Sequence, residues 1–179
     1  MRAFFGLPVP EEQREVLGRY VAACASLAPA FRWVVPANLH LTVRFVGSVD
    51  RELVDGIAGR LAALQLQGFE LELADLGTFQ RGRMVRVVWV GLGTGTEPAI
   101  ALAARVDAEC VAAGLEPEGR AFQPHLTLAR ARGRDGDVLP TFPPPPRLRP
   151  WRARELVLFQ SHLGRSGAVY EPLRVLLLD

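Results

Sequence analysis

Two stretches of the chain repeat one another, His40-Leu41-Thr42-Val43 and His125-Leu126-Thr127-Leu128. Histidine has an ordinary pKa of about 6.5, so it can hold or release a proton near neutrality. Residues two apart on a strand point to one face, so His40 is aimed with Thr42 and His125 with Thr127. The intervening Leu41, Val43, Leu126 and Leu128 then turn towards a core. Two imidazoles facing across a cleft can act as base and acid on opposite sides of one phosphorus. Threonine hydroxyls can donate to its non-bridging oxygens. An arginine follows each copy closely, Arg44 and Arg130, and a guanidinium fork matches phosphate oxygens. A lone His-x-Thr in a strand is ordinary; two copies among three histidines are not. The third, His162, lacks the pattern and reads as a strand-end residue or a neighbour of the cleft.

The flanking sequence alternates between strand-like and helix-like stretches. Residues 2–9 read as a strand, and Pro10-Glu11-Glu12 suits the start of a helix running to about 25. Residues 31–35 and 39–46 are β-rich, separated by Pro36-Ala37-Asn38. Asp50 can cap a helix ending near 65, 69–76 alternates as a half-buried strand, and 84–92 is another strand. An alanine-rich helix over 97–113 is closed by Gly114, and the second motif opens a strand ending at 131. The segment 135–150 carries six prolines and is an extended loop. Two last strands fit 155–163 and 170–178. Several strand pairs are joined too closely for helical crossovers, which predicts antiparallel sheets covered by helices, an α+β arrangement.

Bulk properties narrow the function classes. The 179 residues fit one domain, with 49% apolar and 22% charged residues. No apolar run reaches the roughly 18 residues of a membrane span, and the amino terminus lacks a secretory pattern, so a cytoplasmic protein is expected. All 21 basic residues are arginine, yet the net charge is only +2, so no global field demands a nucleic-acid partner. Cys24 and Cys110 read as buried small hydrophobes. Gly91-Leu92-Gly93-Thr94-Gly95 has the wrong spacing for a dinucleotide fingerprint and reads as a strand-to-helix loop. Neither a His-Glu-x-x-His nor a close Asp/His cluster is present, so no metal and no cofactor are expected.

The motifs in order resemble the two-histidine (2H) phosphoesterase superfamily over nearly the whole chain, most closely its RNA 2′,3′-cyclic phosphodiesterase branch, also called 2′-5′ RNA ligase. The residues that carry it are Arg2-Ala3-Phe4-Phe5, Arg32-Trp33-Val34 followed by Asn38 to Gly47, Phe122 to Arg130, Leu156 to Ser161 and Tyr170. The resemblance implies a bilobal α+β domain over 1–179, with one motif per lobe. It implies two antiparallel sheets with outer helices, related by pseudo-two-fold symmetry around a central groove. It also implies metal-independent opening of a 2′,3′-cyclic phosphate at an RNA end to a 2′-phosphate, by a protein expected to be monomeric. His40 would donate the proton to the departing 3′ oxygen and His125 would activate water, although the residues alone leave open which is acid and which is base. Thr42 and Thr127 would hold phosphate oxygens, and Arg130 would bind the phosphate with Arg44 in reserve. Strict alternation sets Arg130 opposite His125, so its role requires the strand to end or bulge first. Phe159, Tyr170, Trp33 and Phe122 are candidates to stack on a base. Other cyclic or 2′-5′ phosphodiesters, RNA ligation as the reverse reaction, and RNA-end binding without turnover share the same motifs.

Overall fold

Along the first strand Ala3, Phe5 and Leu7 join an apolar cluster with residues of three helices, whereas Phe4 lies outside it on the other face. This two-residue period divides the sheet into a helix-covered face and a face that carries the histidines. The computed structural model describes residues 1–165 and 167–179. Its elements are β1 (Arg2–Pro8), α1 (Glu11–Leu27), β2 (Phe31–Trp33), β3 (His40–Ser48), α2 (Arg51–Ala62), β4 (Phe69–Leu71) and β5 (Leu73–Arg81). They continue with β6 (Met84–Leu92), α3 (Thr96–Ala112), β7 (His125–Ala131), β8 (Trp151–Ala153), β9 (Glu155–Gly164) and β10 (Gly167–Leu177). The fold is α+β, as expected, with three α-helices and two antiparallel sheets. The larger sheet runs β10-β9-β1-β3-β7-β6-β5 with β2 beside β7, and β4 pairs with β8.

The helices hold one face closed. Leu17 and Val21 of α1, Val54 and Ile57 of α2, and Leu102 and Val106 of α3 pack in one cluster with Leu41, Leu126 and Leu158. Each fully buried aliphatic or aromatic side chain there contributes about 1.5–3 kcal/mol. Cys24 and Cys110 are free thiols inside these helices, and burial raises both. Around the Gly-rich loop, the Gly93 amide donates to the Glu72 carbonyl and Thr94 Oγ1 to Glu72 Oε2, so the loop is fastened to the β4–β5 junction.

Three elements depart from the sequence expectations. The strand over 69–76 is broken at Glu72, and β5 continues to Arg81 to form a hairpin with β6 through Gly82. The end of β5 is exposed, so no apolar period marked it. β2 stops at Trp33 because the chain turns into a 3-10 turn, Pro36–Asn38. β8 is a three-residue strand lying just beyond the proline-rich loop, too short to show a period.

Only one residue pair joins β3 to β7, Leu41 opposite Leu126. The two motif strands run antiparallel to one another across this junction. Both histidines precede the paired leucines and lie diagonally on one face. In a regular ladder such diagonal positions are roughly 7–8 Å apart, room for a phosphate between two imidazoles.

Candidate active site

The same irregularity occurs in both motif strands. In β3, Thr42 pairs with Gly6 and Arg44 with Phe5, skipping Val43. In β7, Thr127 pairs with Trp89 and Ala129 with Val88, skipping Leu128. An extra residue of this kind turns the alternation over by one face. Burial follows it: seven residues from each histidine run half-buried, buried, half-buried, buried, buried, exposed, half-buried in both strands. The bulge sends Arg44 to the helix side and brings Arg130 onto the face of His125.

Arg44 is therefore not at the site. It is buried, with Nε donating to Asp107 Oδ1 at 2.8 Å, Nη1 to Glu118 Oε1 at 2.6 Å and Nη2 to the Glu116 carbonyl at 2.6 Å. Strict alternation, which set Arg44 beside His40 and Arg130 away from His125, fails at both arginines for this one reason.

Each imidazole is held in one tautomer. His40 Nδ1 donates to the Asn38 carbonyl at 2.6 Å and His125 Nδ1 to the Gln123 carbonyl at 2.7 Å. A carbonyl can only accept, so Nδ1 carries hydrogen in both rings and Nε2 is the nitrogen that can take up or release a proton. His40 Nε2 meets Thr42 Oγ1 at 2.9 Å, and the hydroxyl donates while the ring is neutral. Asn38 is itself anchored, its Nδ2 donating to the Ala168 carbonyl at 2.7 Å, so the β9–β10 hairpin steadies the turn that orients His40. Thr127 is half-buried on the face of His125.

Aromatic rings wall both histidines. Phe4, Phe159 and Tyr170 lie 4.8, 6.1 and 5.1 Å from the His40 ring centre. Phe79 and Trp89 lie 5.0 and 5.8 Å from that of His125. This wall removes water and disfavours the charged ring. Burial lowers His40 to about 4, with smaller downward pushes from the Arg130 and His125 charges and an opposing pull from the Asn38 carbonyl. Burial also lowers His125, opposed by the Gln123 carbonyl and assisted by Arg130. Arg130 is thus close enough to act on both imidazoles and on Tyr170.

The structure brings together His40, His125, Thr42, Thr127, Arg130, Phe159 and Tyr170. Trp33 lies elsewhere, its Nε1 donating to the Ala28 carbonyl and its ring against Phe142. Phe122 packs against the main core, and His162 pairs with Glu171 on the exposed hairpin at 2.8 Å. The sequence reading missed Phe4, Phe79 and Trp89 as walls, and the Asn38 and Gln123 carbonyls as anchors. A backbone carbonyl leaves no side-chain signal, but a glycine inside a strand does. At Gly6 a Cβ would lie 3.2 Å from His40 Cδ2, and at Gly77 it would lie 2.1 Å from the Trp89 ring. Gly6→Ala is expected to displace His40 and lower kcat at least tenfold, while Gly56→Ala on α2, where an added Cβ meets nothing nearer than 4.0 Å, serves as the control. Unchanged kcat in Gly6→Ala would show that the ring has room to retreat.

Among the described residues, no three His, Cys, Asp or Glu side chains stand together as a metal site, and no helix is long and apolar enough to cross a membrane. An antiparallel α+β fold that sets two imidazoles, two threonines and a guanidinium on one face defines a phosphoesterase of the two-histidine kind. A family model for LigT-like phosphoesterases matches residues 7–89 and 92–170, and the chain belongs to that family. The RNA 2′,3′-cyclic phosphodiesterase of Escherichia coli is 32% identical over 174 residues, covering 97% of this chain and 94% of its own. The apo form of E. coli LigT superposes with a TM-score of 0.83 at 32% identity, covering 99% of this chain and 96% of its own. A further phosphoesterase crystal structure gives a TM-score of 0.85 at 31% identity, covering 99% and 97%.

Proposed function

We propose that the protein hydrolyses RNA 2′,3′-cyclic phosphate ends to 2′-phosphomonoesters, with His40 as acid and His125 as base. The observation that carries this reading is the pair of imidazoles, each locked through Nδ1 and presenting Nε2, set diagonally across one strand junction beside Arg130. His125 Nε2 takes a proton from water as its oxygen bonds to phosphorus. The P–O3′ bond breaks, and His40 Nε2 gives its proton to the departing 3′ oxygen. Thr42, Thr127 and Arg130 hold the non-bridging oxygens and balance their charge. Each turnover leaves the two rings with exchanged protonation states, which solvent resets. The named activity of the E. coli relative supports the substrate class. In this reading, one bilobal domain contributes one motif per lobe and a monomer in the cytoplasm suffices, since every site residue comes from one chain. Ligation to a 2′-5′ bond is the same chemistry run in reverse.

The pH dependence follows from the site. In the free protein at pH 7, His40 at about 4 is protonated in about one molecule in a thousand. Both histidines are lowered, so kcat/KM, which reports the free protein, should be bell-shaped with its maximum on the acidic side of pH 6.5. A bound phosphate anion favours the charged ring, so both limbs of kcat should lie at higher pH than those of kcat/KM. A kcat/KM still climbing at pH 8 would remove the two imidazoles from the roles of acid and base. The primary test is turnover of an oligoribonucleotide ending in a 2′,3′-cyclic phosphate, in EDTA, with phosphorus NMR of the product. A 2′-phosphate as sole product is expected. Binding without product would make the protein a reader of RNA ends.

A further inference from the structure

Beyond Ser161 the β9–β10 hairpin has no partner in β1, so residues 162–169 overhang the sheet. The tip is not packed down: Leu163 is 72% exposed and Val169 57%. Among the described residues, one group outside the hairpin bonds to it there. Asn38 Nδ2 donates to the Ala168 carbonyl at 2.7 Å.

Between this tip and the end of β2 opens a cavity of about 590 Å³, lined by Arg32, Arg132, Arg165, Gly164, Gly167 and Trp33 among others. Its three arginines come from separate segments: β2, the residue after β7, and the hairpin tip. No described carboxylate lines it, and none of the three makes an ion pair among the described residues. Arg132 engages only its Nε, donating to the Pro29 carbonyl at 3.1 Å. The chain's net charge is only +2, so this is a local concentration of charge and not general basicity. Like charges so placed repel, which pushes the tip away from β2. An anion between Arg165 and the Arg32–Arg132 pair turns that repulsion into a bridge. Guanidinium forks match phosphate oxygens, and the volume falls within the roughly 300–1,000 Å³ of ordinary ligand pockets. Trp33, its Nε1 engaged by the Ala28 carbonyl, adds an apolar wall for whatever carries the phosphate.

We infer that this cavity is a second anion site, apart from the histidines, which binds a phosphate-bearing small molecule and thereby fixes the hairpin that steadies His40. None of His40, His125, Thr42, Thr127 or Arg130 lines it, so its ligand is not the reacting phosphate. The connection to the ring is short. Gly167 lines the cavity, its neighbour Ala168 accepts from Asn38 Nδ2, and the Asn38 carbonyl accepts from His40 Nδ1. Holding the tip on β2 therefore holds the turn that orients the imidazole. The site stands independently of the function proposed above, while its effect on turnover rests on that reading.

The test titrates inorganic pyrophosphate into the whole protein by isothermal calorimetry. Wild type should take up two, one at the histidines and one in the cavity. The double variant Arg32→Gln/Arg132→Gln should weaken the cavity site by about tenfold or more, as expected for lost charged hydrogen bonds, and leave the other. Arg130→Met should weaken the histidine site and keep the cavity site. Thermal melting checks that both proteins are folded. At saturating cyclic-phosphate RNA, filling the cavity should raise wild-type kcat by about fivefold, the lower end of ordinary coupling between sites, and leave the double variant unmoved. No uptake, or an isotherm unaltered by the double substitution, would overturn the site. A wild-type kcat unmoved once the cavity is filled would overturn its link to His40. Uptake in the cavity without turnover of any cyclic end would overturn the function proposed above and leave the anion site standing.

Discussion

Replacing His40 or His125 with alanine is expected to lower kcat on a cyclic-phosphate RNA end by about a hundred- to ten-thousandfold, the usual contribution of one positioned acid or base. Neither loss can be made good locally. Thr42 Oγ1 lies 2.9 Å from His40 Nε2, but a hydroxyl cannot donate a proton near neutrality as an imidazolium does. The two substitutions should also be far from additive, because an acid without a base and a base without an acid serve the same transition state. The double variant is expected to be no worse than about tenfold below the poorer single one. A phosphodiester with a nitrophenyl leaving group separates the roles. Its phenolate departs without a proton, so the acid variant should recover most of its activity and the base variant should not. Recovery in His125→Ala in place of His40→Ala would exchange the two assignments, while recovery in neither would remove acid catalysis from the mechanism.

The chemistry was legible in the sequence because it lies in residue types, and His40, Thr42, His125 and Thr127 repeat as a unit. The helices and most strands were legible from apolar period and end signals. The faces of Arg44 and Arg130 were not. Alternation holds only while two strands stay in register, and the extra residues are Val43 and Leu128, ordinary apolar side chains that carry no mark of a bulge. Register belongs to a pair of strands, so one strand's sequence cannot state it. The resemblance set Arg130 ahead of Arg44, and the paired bulges are the physical reason that it lies on the histidine face. The walls were missed for a related cause. Phe4 alternates with core residues and reads as half of an apolar strand, yet it faces His40, because the site is lined by the sheet's second apolar face.

The same bulges make the two arginines answer to different measurements. Arg44→Met should leave kcat/KM within about twofold of wild type and lower stability. Its guanidinium is 7% exposed and serves Asp107, whose side chain is 26% exposed, and Glu118, which is 55% exposed. Breaking a fully buried pair costs about 3–5 kcal/mol. Water can reach both carboxylates, so on the order of 2–3 kcal/mol is expected for Arg44→Met, with a fall in Tm of roughly 5–10 °C. Arg130→Met should do the reverse. It is exposed and carries no structural ion pair among the described residues, so Tm should hold. Losing a charged hydrogen bond to a phosphate oxygen should lower kcat/KM by about ten- to a hundredfold. Its charge also lowers both histidines, so removing it should move the limbs of the kcat/KM profile to higher pH. Calorimetry and a pH–rate series on the two variants check both statements. If Arg44→Met stays stable but loses activity, then alternation describes β3 in solution better than the bulge does. The phosphate ligand would then have to be sought on the first motif strand and not the second.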